Sequence, residues 1–288
     1  MKKKIVKVRS HIIYYFLKIL SLTRKNSLPI DEEAEFIVSI ASYPKRDHLL
    51  PAVFEALSKQ TVLPKKWVLV LSIEDYNNKL PKHLTKLQDL GLEIIWVKNN
   101  PFAVKKLLPT KEKYPDLSII TFDDELIYGR TVIQKLTKAA RKNKNCIIGH
   151  VGKRLYQIDN EMSLYFRFKK DACYETKSNE IYFLGGSGTY YPPDCFDKKV
   201  FNIEAIHNIV PGRGSDMWFW AAAIAKGTTQ VCLGSKTNMS LYFTIPLNKN
   251  TKPLDPINKK VLEDRFSKTI DYFGIREKLI ETLPNKKD

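Results

Sequence analysis

The sequence predicts a layered α/β fold with a mostly parallel sheet flanked by helices. From residue 36 onward, short runs rich in branched and aromatic residues alternate with longer segments of helical pattern. A chain of 288 residues is long enough to bury one large core of this kind. We therefore expect a single α/β domain over residues 35–250, with appendages at residues 1–34 and 251–288.

Four strands are predicted in the first half of the domain. Each is apolar and too short for a helix, and they cover residues 36–42, 67–73, 92–97 and 117–122. Helices are predicted between them over residues 47–60, 82–90 and 104–114, because each of these segments is longer and bounded by turn residues. A helix over residues 130–142 and a strand over 146–150 follow.

The second half has a less regular pattern. Residues 153–183 alternate short aromatic runs with polar residues, which favours a small antiparallel extension of the sheet. Residues 215–226 predict a mostly buried helix that Ser215 caps and Gly227 ends. Residues 258–283 predict an amphipathic helix rich in charge.

The first 26 residues are basic and partly apolar. Lys18 interrupts the apolar stretch, so the run is too short to cross a bilayer, and no small-residue cleavage site follows it. On a helix, Ile13, Phe16, Leu17 and Leu20 share one face, which suits a peptide lying on an anionic membrane surface. The alternative is a disordered basic tail. No acidic residue offsets the basic ones, which are Lys2, Lys3, Lys4, Lys7, Arg9, Lys18, Arg24 and Lys25.

The charge balance points to a polyanionic partner. The chain has 48 Lys and Arg against 31 Asp and Glu, a net charge of +17, which attracts nucleic acid, anionic membranes or phosphorylated substrates. Nucleic acid is the least favoured partner, because the basic residues are spread along the chain without a recognisable reader motif. The four cysteines contain no Cys-x-x-Cys pair, so we expect neither a zinc knuckle nor a disulfide framework, and a reducing, cytoplasmic compartment fits best.

Three consecutive acidic residues, Asp123, Asp124 and Glu125, come directly after the fourth predicted strand. Open α/β sheets place ligand sites at the carboxyl ends of their strands. Adjacent carboxylates repel each other, and a hard divalent cation such as Mg²⁺ or Mn²⁺ relieves that repulsion. The same cation can neutralise charge on a departing diphosphate. A solvated loop that begins with a capping Asp123 is the alternative.

Four segments in order resemble bacterial glycosyltransferases of the GT-A fold, close to the family two group that builds capsular polysaccharide and lipopolysaccharide. They cover residues 38–46, residues 104–109 with the strand leading to Asp123, residues 184–193, and residues 214–218. Each motif alone is weak, and the ordered set is more specific. The resemblance covers roughly residues 36–233.

The resemblance implies a nucleotide-sugar donor, a glycan or lipid-linked acceptor, and Mn²⁺ or Mg²⁺ as cofactor. It also implies a peripheral place on the inner face of the cell membrane. Asp216 would be the general base of an inverting transfer, and Asp123 and Glu125 would hold the metal. The donor site would contain Ser42, Arg46, Lys105, Lys106, Asp123 and Asp124. The acceptor site would contain Gly186, Ser187, Gly188 and Tyr190.

The chain departs from the family pattern at two positions. The third acidic residue of the metal motif is commonly Asp and here is Glu125, which keeps the ligand chemistry. Relatives often carry two acidic residues before the Trp-bearing helix, whereas here Ser215 precedes Asp216, so one carboxylate alone can be the base. A nucleotidyltransferase or phosphohydrolase that uses the same carboxylates on a phosphate ester is the alternative function.

Overall fold

The computed structural model describes residues 2–158, 161–163, 177–178, 181–234, 241–245 and 258–283. Within these ranges the strands are β1 Phe36–Ala41, β2 Lys66–Ser72, β3 Leu92–Val97, β4 Ser118–Phe122, β5 Leu126–Tyr128, β6 Ile147–Gly149, β7 Gly152–Arg154, β8 Tyr156–Ile158, β9 Glu161–Ser163, β10 Lys177–Ser178, β11 Ile181–Phe183, β12 Thr189–Tyr191, β13 Gln230–Cys232 and β14 Tyr242–Thr244. The helices are α1 Lys2–Thr23, α2 Leu50–Leu57, α3 Ile73–Tyr76, α4 Lys82–Asp89, α5 Leu108–Lys113, α6 Val132–Lys142, α7 Ile203–Ile209, α8 Ser215–Lys226, α9 Lys259–Phe273 and α10 Arg276–Thr282.

The largest sheet in the described residues has the strand order β10-β13-β6-β12-β4-β1-β2-β3. The strands β4, β1, β2 and β3 run parallel to one another, and so do β6 and β13. β12 lies antiparallel between β4 and β6. Small antiparallel pairs, β5 with β14, β7 with β11 and β8 with β9, extend the fold. The predicted fold class is therefore confirmed.

Hydrophobic residues pack on both faces of the sheet because side chains alternate along each strand. In β1, Val38 and Ile40 belong to one core cluster, and Ile37 belongs to the other. In β2, Trp67 belongs to the first cluster and Val68 belongs to the second. α1, α2 and α6 contribute to the first cluster, and α8, α9 and α10 contribute to the second. The result is the helix–sheet–helix layering that the sequence predicts.

Most predicted elements lie within a few residues of the observed ones. The strand over 92–97 and the helix over 215–226 have the predicted bounds. The predicted cap of that helix is wrong, because Gly214 occupies the N-cap position, Ser215 is the first helical residue, and no side chain caps the helix. The C-terminal helix predicted over 258–283 is instead two helices, because Gly274 adopts the left-handed conformation with φ +67° and ends α9. The predicted boundary at residue 251 and part of the extension over 153–183 lie outside the described residues.

The N-terminal segment forms the helix α1, but the apolar face that the sequence suggested is divided. Leu17 is buried and Ile13 is partly buried against the core, where α1 packs on α2. Phe16, predicted on that same face, is 58% exposed. No helix in the described ranges is long and apolar enough to cross a membrane. The buried thiols of Cys146, Cys195 and Cys232 are free, and Cys173 lies outside the described residues.

Candidate active site

The candidate site lies where the strand order of the sheet reverses. From β1 the chain adds β2 and β3 on one side and later places β4 on the other side of β1. At such a reversal the connections leave the sheet in opposite directions, and a crevice opens at the carboxyl ends of the strands. Because Ile40 of β1 pairs with Phe122 of β4, the residues that follow these strands meet at this edge. They include Ser42 and Arg46 after β1, and Asp123 after β4.

One half of the site is a buried ion pair between the two turns. Asp124 accepts hydrogen bonds from the Ser42 hydroxyl at 2.7 Å and from Nη1 of Arg46 at 3.1 Å. Nη2 of Arg46 lies 3.0 Å from Oε2 of Glu125. Burial raises the pKa of Asp124, and Arg46 opposes this shift. The pKa of Glu125 is raised by burial as well, with Arg46 and Arg213 acting to lower it.

The other half is built around Lys106. Its Nζ lies 3.2 Å from Oδ1 of Asp123 and 3.8 Å from Oδ1 of Asp216. Burial acts to lower the pKa of Lys106, but Asp123 and Asp216 outweigh it and the pKa is raised. Because Lys106 lies beside two carboxylates, it stays protonated. Its positive charge therefore links the turn after β4 to the first turn of α8. The sequence predicted all three residues in the site and did not predict this bridge between them.

Asp216 has two different carboxylate oxygens. Oδ2 accepts a hydrogen bond from the Gly185 amide at 3.1 Å. Oδ1 is buried without a hydrogen-bond partner and depends on the charge of Lys106. Burial raises the pKa of Asp216, and Lys106 lowers it. Since 27% of the side chain is exposed, a substrate can approach the side chain of Asp216.

Gly185 and Gly186 allow the backbone to pass close over both carboxylates. A Cβ atom on Gly185 would lie 2.5 Å from Oδ1 of Asp216, and one on Gly186 would lie 2.3 Å from Oδ2 of Asp123. Real Cβ atoms do not approach so closely, so a side chain at either position would displace a carboxylate. The family resemblance placed Gly186 in the acceptor site, and glycines allow a close approach of other groups to the backbone. In the structure the close neighbours are acidic side chains of the site itself.

Tyr128 is a site residue that sequence reasoning missed. Its hydroxyl accepts a hydrogen bond from the Asp123 amide at 2.8 Å and donates one to the Gly186 carbonyl at 2.7 Å. It therefore ties the acidic turn to the glycine turn. The available signal was its place three residues after Glu125 at the end of a short apolar run, which is typical of many core tyrosines.

Several predicted residues do not join this cluster. Lys105 lies 3.5 Å from Asp75 and 3.1 Å from the Asn100 side chain, and burial lowers its pKa. The Ser187 hydroxyl bonds to Tyr242 at 3.5 Å. Gly188, at φ +95°, packs against the ring of Phe122.

Tyr190 is also set apart from the acidic turn. Its hydroxyl bonds to Ser118 at 2.7 Å. Ser118 begins β4, whereas Asp123 follows the end of that strand, so five residue steps, about 16 Å, separate the two ends. The Tyr190 hydroxyl thus lies near the start of β4 and not beside Asp123.

The residues present fit a divalent cation that is shared with a substrate. No group of three or more His, Cys, Asp or Glu side chains in the described ranges is arranged as a metal cage. Mg²⁺, however, is commonly held by one or two carboxylates together with substrate phosphates and water. Asp123 is 33% exposed and Glu125 is 23% exposed, so both carboxylates can be reached from the crevice. Asp124 is saturated by Ser42 and Arg46 and is not available.

Comparison with solved structures supports the fold. Residues 1–349 of S. aureus TarS in complex with UDP-GlcNAc are similar with a TM-score of 0.51 and 12% identity, over 84% of this chain and 66% of that one. TarS 1–349 alone gives a TM-score of 0.44 at 11% identity, over 70% of this chain and 58% of that one. The mannosyltransferase PcManGT from Pyrobaculum calidifontis, in complex with GDP-Man and Mn²⁺, gives 0.34 at 12% identity, over 51% of this chain and 44% of that one.

These likenesses have clear bounds. The chain spans less than two thirds of the length of each of these three structures. No protein-family model and no curated protein matches the sequence. At 12% identity the similarity to the TarS complex establishes a shared fold, and the activity has to be argued from the site.

Arg46→Met tests whether the ion pair with Asp124 holds the two turns together. We expect a loss of about 3–5 kcal/mol in the free energy of unfolding at neutral pH, because a buried carboxylate is left without its cation. The folded-state pKa of Asp124 is already raised by burial, and removing Arg46 raises it further. A carboxyl with a raised folded-state pKa loses its contribution to stability as pH rises. The loss should therefore be smaller at acidic pH, as measured by urea unfolding.

Arg24→Met is the matched control for this experiment. Arg24 makes a comparably buried pair with Glu55 at 2.8 Å, but Glu55 keeps a second cation, Lys59, at 3.2 Å. We expect a smaller loss and a weaker pH dependence. Equal losses for Arg24→Met and Arg46→Met at every pH would contradict a special role for the Arg46 pair.

Proposed function

We propose that this protein is a metal-dependent, inverting glycosyltransferase. It would move a sugar from a nucleotide-sugar to a glycan or lipid-linked acceptor in surface polysaccharide or lipopolysaccharide synthesis. One observation carries the proposal: Asp123 and Asp216 lie on either side of Lys106, beneath two glycines, at the topological switch point of the sheet. The TarS structure of similar fold contains UDP-GlcNAc, which is consistent with a nucleotide-sugar donor.

The chemistry of sugar transfer needs a base, a positioned anomeric carbon and a stabilised leaving group. In a direct displacement, the acceptor oxygen forms a bond to the anomeric carbon while the bond to the diphosphate oxygen breaks. The acceptor proton would pass to the Asp216 carboxylate, and the diphosphate leaves with the bonding electrons. One displacement of this kind inverts the anomeric configuration. Since the pKa of Asp216 is raised by burial, it is a stronger base than an exposed Asp.

The leaving diphosphate requires positive charge. Arg46 and Lys106 are two cations of the site, although each is already paired with a carboxylate. A bound Mn²⁺ or Mg²⁺ would supply further charge to neutralise the diphosphate, with Asp123 and Glu125 as its protein ligands. Ser42 and Asp124 would act indirectly, by fixing the position of Arg46. We assign Gly186, Ser187 and Gly188 to the acceptor side, where their turn adjoins Asp123.

We also propose that the protein associates peripherally with the inner face of the cell membrane. Its net charge of +17 favours an anionic surface. α1 supports this part of the proposal, because it carries basic residues without acidic ones and has large apolar side chains facing outward. A lipid-linked acceptor would be held at that surface.

Product analysis tests the reaction class. With UDP-, GDP- and CMP-sugars and Mn²⁺, we expect binding of at least one donor and release of its nucleotide only when an acceptor is present. The released nucleotide would be a nucleoside diphosphate from a UDP- or GDP-sugar and CMP from a CMP-sugar. The alternative function, a nucleotidyltransferase or phosphohydrolase, would release pyrophosphate or phosphate instead. Release of either of these products as the main product would overturn the glycosyltransferase proposal.

Asp216→Asn tests the base. We expect kcat for sugar transfer to fall by about 10²–10⁴, because the acceptor proton has no carboxylate to receive it. Donor affinity measured by calorimetry should change little. Asp194→Asn is the control, since Asp194 is 81% exposed and pairs with Lys226, and it should transfer sugar at the normal rate. Near-normal kcat in Asp216→Asn would remove the base assignment.

Lys106→Met tests the charge environment of Asp216. Lys106 lowers the pKa of Asp216 against the raising effect of burial. Without Lys106 the pKa of Asp216 rises further, so the base becomes protonated at a higher pH. We expect the acid limb of the pH profile of kcat to move to higher pH.

Lys105→Met provides the matched control. Lys105 is adjacent in sequence and comparably buried, but it pairs with Asp75. Its removal should leave the acid limb where it is. A lower kcat in Lys106→Met with an unmoved acid limb would show that Lys106 has only a structural role.

A further inference from the structure

α1 has two opposite faces with different surroundings. One face, which includes Tyr14 and Leu17, is buried against the domain at 7% and 6% exposure. The other face carries large apolar side chains that are exposed by more than half of their surface. They are Val8 59%, Ile12 64%, Tyr15 56%, Phe16 58%, Ile19 60% and Leu22 65%. We call these six residues the outer stripe.

The outer stripe is a continuous surface. Positions 8, 12, 15, 19 and 22 are spaced alternately by four and three residues, which places them on one side of a helix. Exposed hydrophobic residues found singly are normal, but a contiguous patch marks an interaction site. Among the large hydrophobic residues exposed in the described ranges, six of eleven belong to this one stripe. The stripe therefore requires a partner.

Charge decides which partner fits. The spacing of the stripe also suits a pair of helices packed side by side, so a second copy of this chain is the competing occupant. Two copies meeting at the stripe would bring together two N-terminal segments that each have eight basic residues and no acidic one. That repulsion disfavours self-association, whereas an anionic bilayer attracts the same charge. Two of these basic residues, Arg9 and Lys25, are exposed. Arg9 lies next to the first residue of the stripe, and Lys25 lies three residues beyond the last one.

We propose that the outer stripe of α1 lies in the interface of an anionic bilayer, with its apolar side chains among the acyl chains and its basic residues at the headgroups. α1 then lies parallel to the membrane plane. It is not long and apolar enough to cross the bilayer. The membrane-binding face is thus centred on Ile12, Tyr15 and Ile19. Ile13 and Leu17, which the sequence suggested for this purpose, fasten the helix to the enzyme. The inference rests only on the membrane association in the proposed function.

The test is co-sedimentation of the full chain with vesicles of phosphatidylcholine, with and without an equal share of phosphatidylglycerol. We expect wild-type protein to bind the anionic vesicles preferentially. Ile12→Ser combined with Ile19→Ser should weaken binding by about tenfold or more. Val261→Ser combined with Ile280→Ser is the matched control, because both residues are 41% exposed on the C-terminal helices, and it should bind like wild type.

A charge series completes the test. Arg9→Glu with Lys25→Glu should weaken binding to anionic vesicles by about tenfold or more. Lys142→Glu with Lys144→Glu changes the net charge equally at two exposed positions elsewhere and should have a much smaller effect. Circular dichroism and thermal unfolding would verify that each variant is folded, as expected for changes at exposed positions.

Three results would overturn the inference. Unchanged binding by Ile12→Ser with Ile19→Ser would show that another surface meets the membrane. Equal binding of wild type to neutral and anionic vesicles would remove the role of charge. A wild-type dimer in sedimentation that dissociates in the stripe variant, without vesicle binding, would identify a second copy as the occupant. Donor binding and sugar transfer to a soluble acceptor do not involve α1, so failure here is distinguishable from failure of the catalytic proposal.

Discussion

The site depends on placing several charges in a confined space at one edge of the sheet. Asp123, Asp124 and Asp216 are drawn together by β4 and α8, and their mutual repulsion would open the crevice without compensation. Lys106 and Arg46 provide that compensation, one for each half of the site. Both cations lie on segments outside the strands, so the folded sheet alone does not assemble the site. The ion pairs connect the turn after β1, the segment before α5, the turn after β4 and the start of α8.

The division into two halves has a chemical consequence. Asp124 is fully engaged by Ser42 and Arg46 and acts within the protein, whereas Asp123 and Asp216 remain partly exposed and face the crevice. The carboxylates of Asp123, Asp124 and Asp216 thus have distinct environments. Burial raises the pKa of Asp216 while Lys106 limits the rise. Among the charges around Asp216, Lys106 is the main one that lowers its pKa.

Sequence reasoning succeeded where one local signal determined the outcome. β3 and α8 have the predicted bounds because apolar runs mark both and Gly227 ends α8, and the acidic turn was located because it follows a buried strand. It failed where the outcome depends on tertiary contacts. Lys105 and Lys106 are adjacent in sequence, yet they pair with Asp75 and Asp123, respectively. The sequence cannot distinguish them, because a short 3₁₀ helix sets the direction of each side chain.

The same limit explains β12 and α1. The sequence predicts no strand over residues 189–191, but they fill the gap between β4 and β6, a pairing of strands distant in sequence. The helical periodicity of α1 is correct, but its amphipathic pattern has apolar residues on two sides. Which side packs on the enzyme depends on the shape of α2 and β5. A pattern alone cannot supply that information.

Tyr128 lies between α1 and the acidic turn that follows β4. A cavity of about 180 Å³ lies under α1, and its lining includes Ile13 and Leu17 on one side and Tyr128 on the other. The hydroxyl of this same tyrosine holds the Asp123 amide and the Gly186 carbonyl. A helix fixed at a surface by its outer stripe would therefore set the orientation of the crevice relative to that surface. The inner face of α1 links the two, because Ile13 and Leu17 line the same cavity as Tyr128.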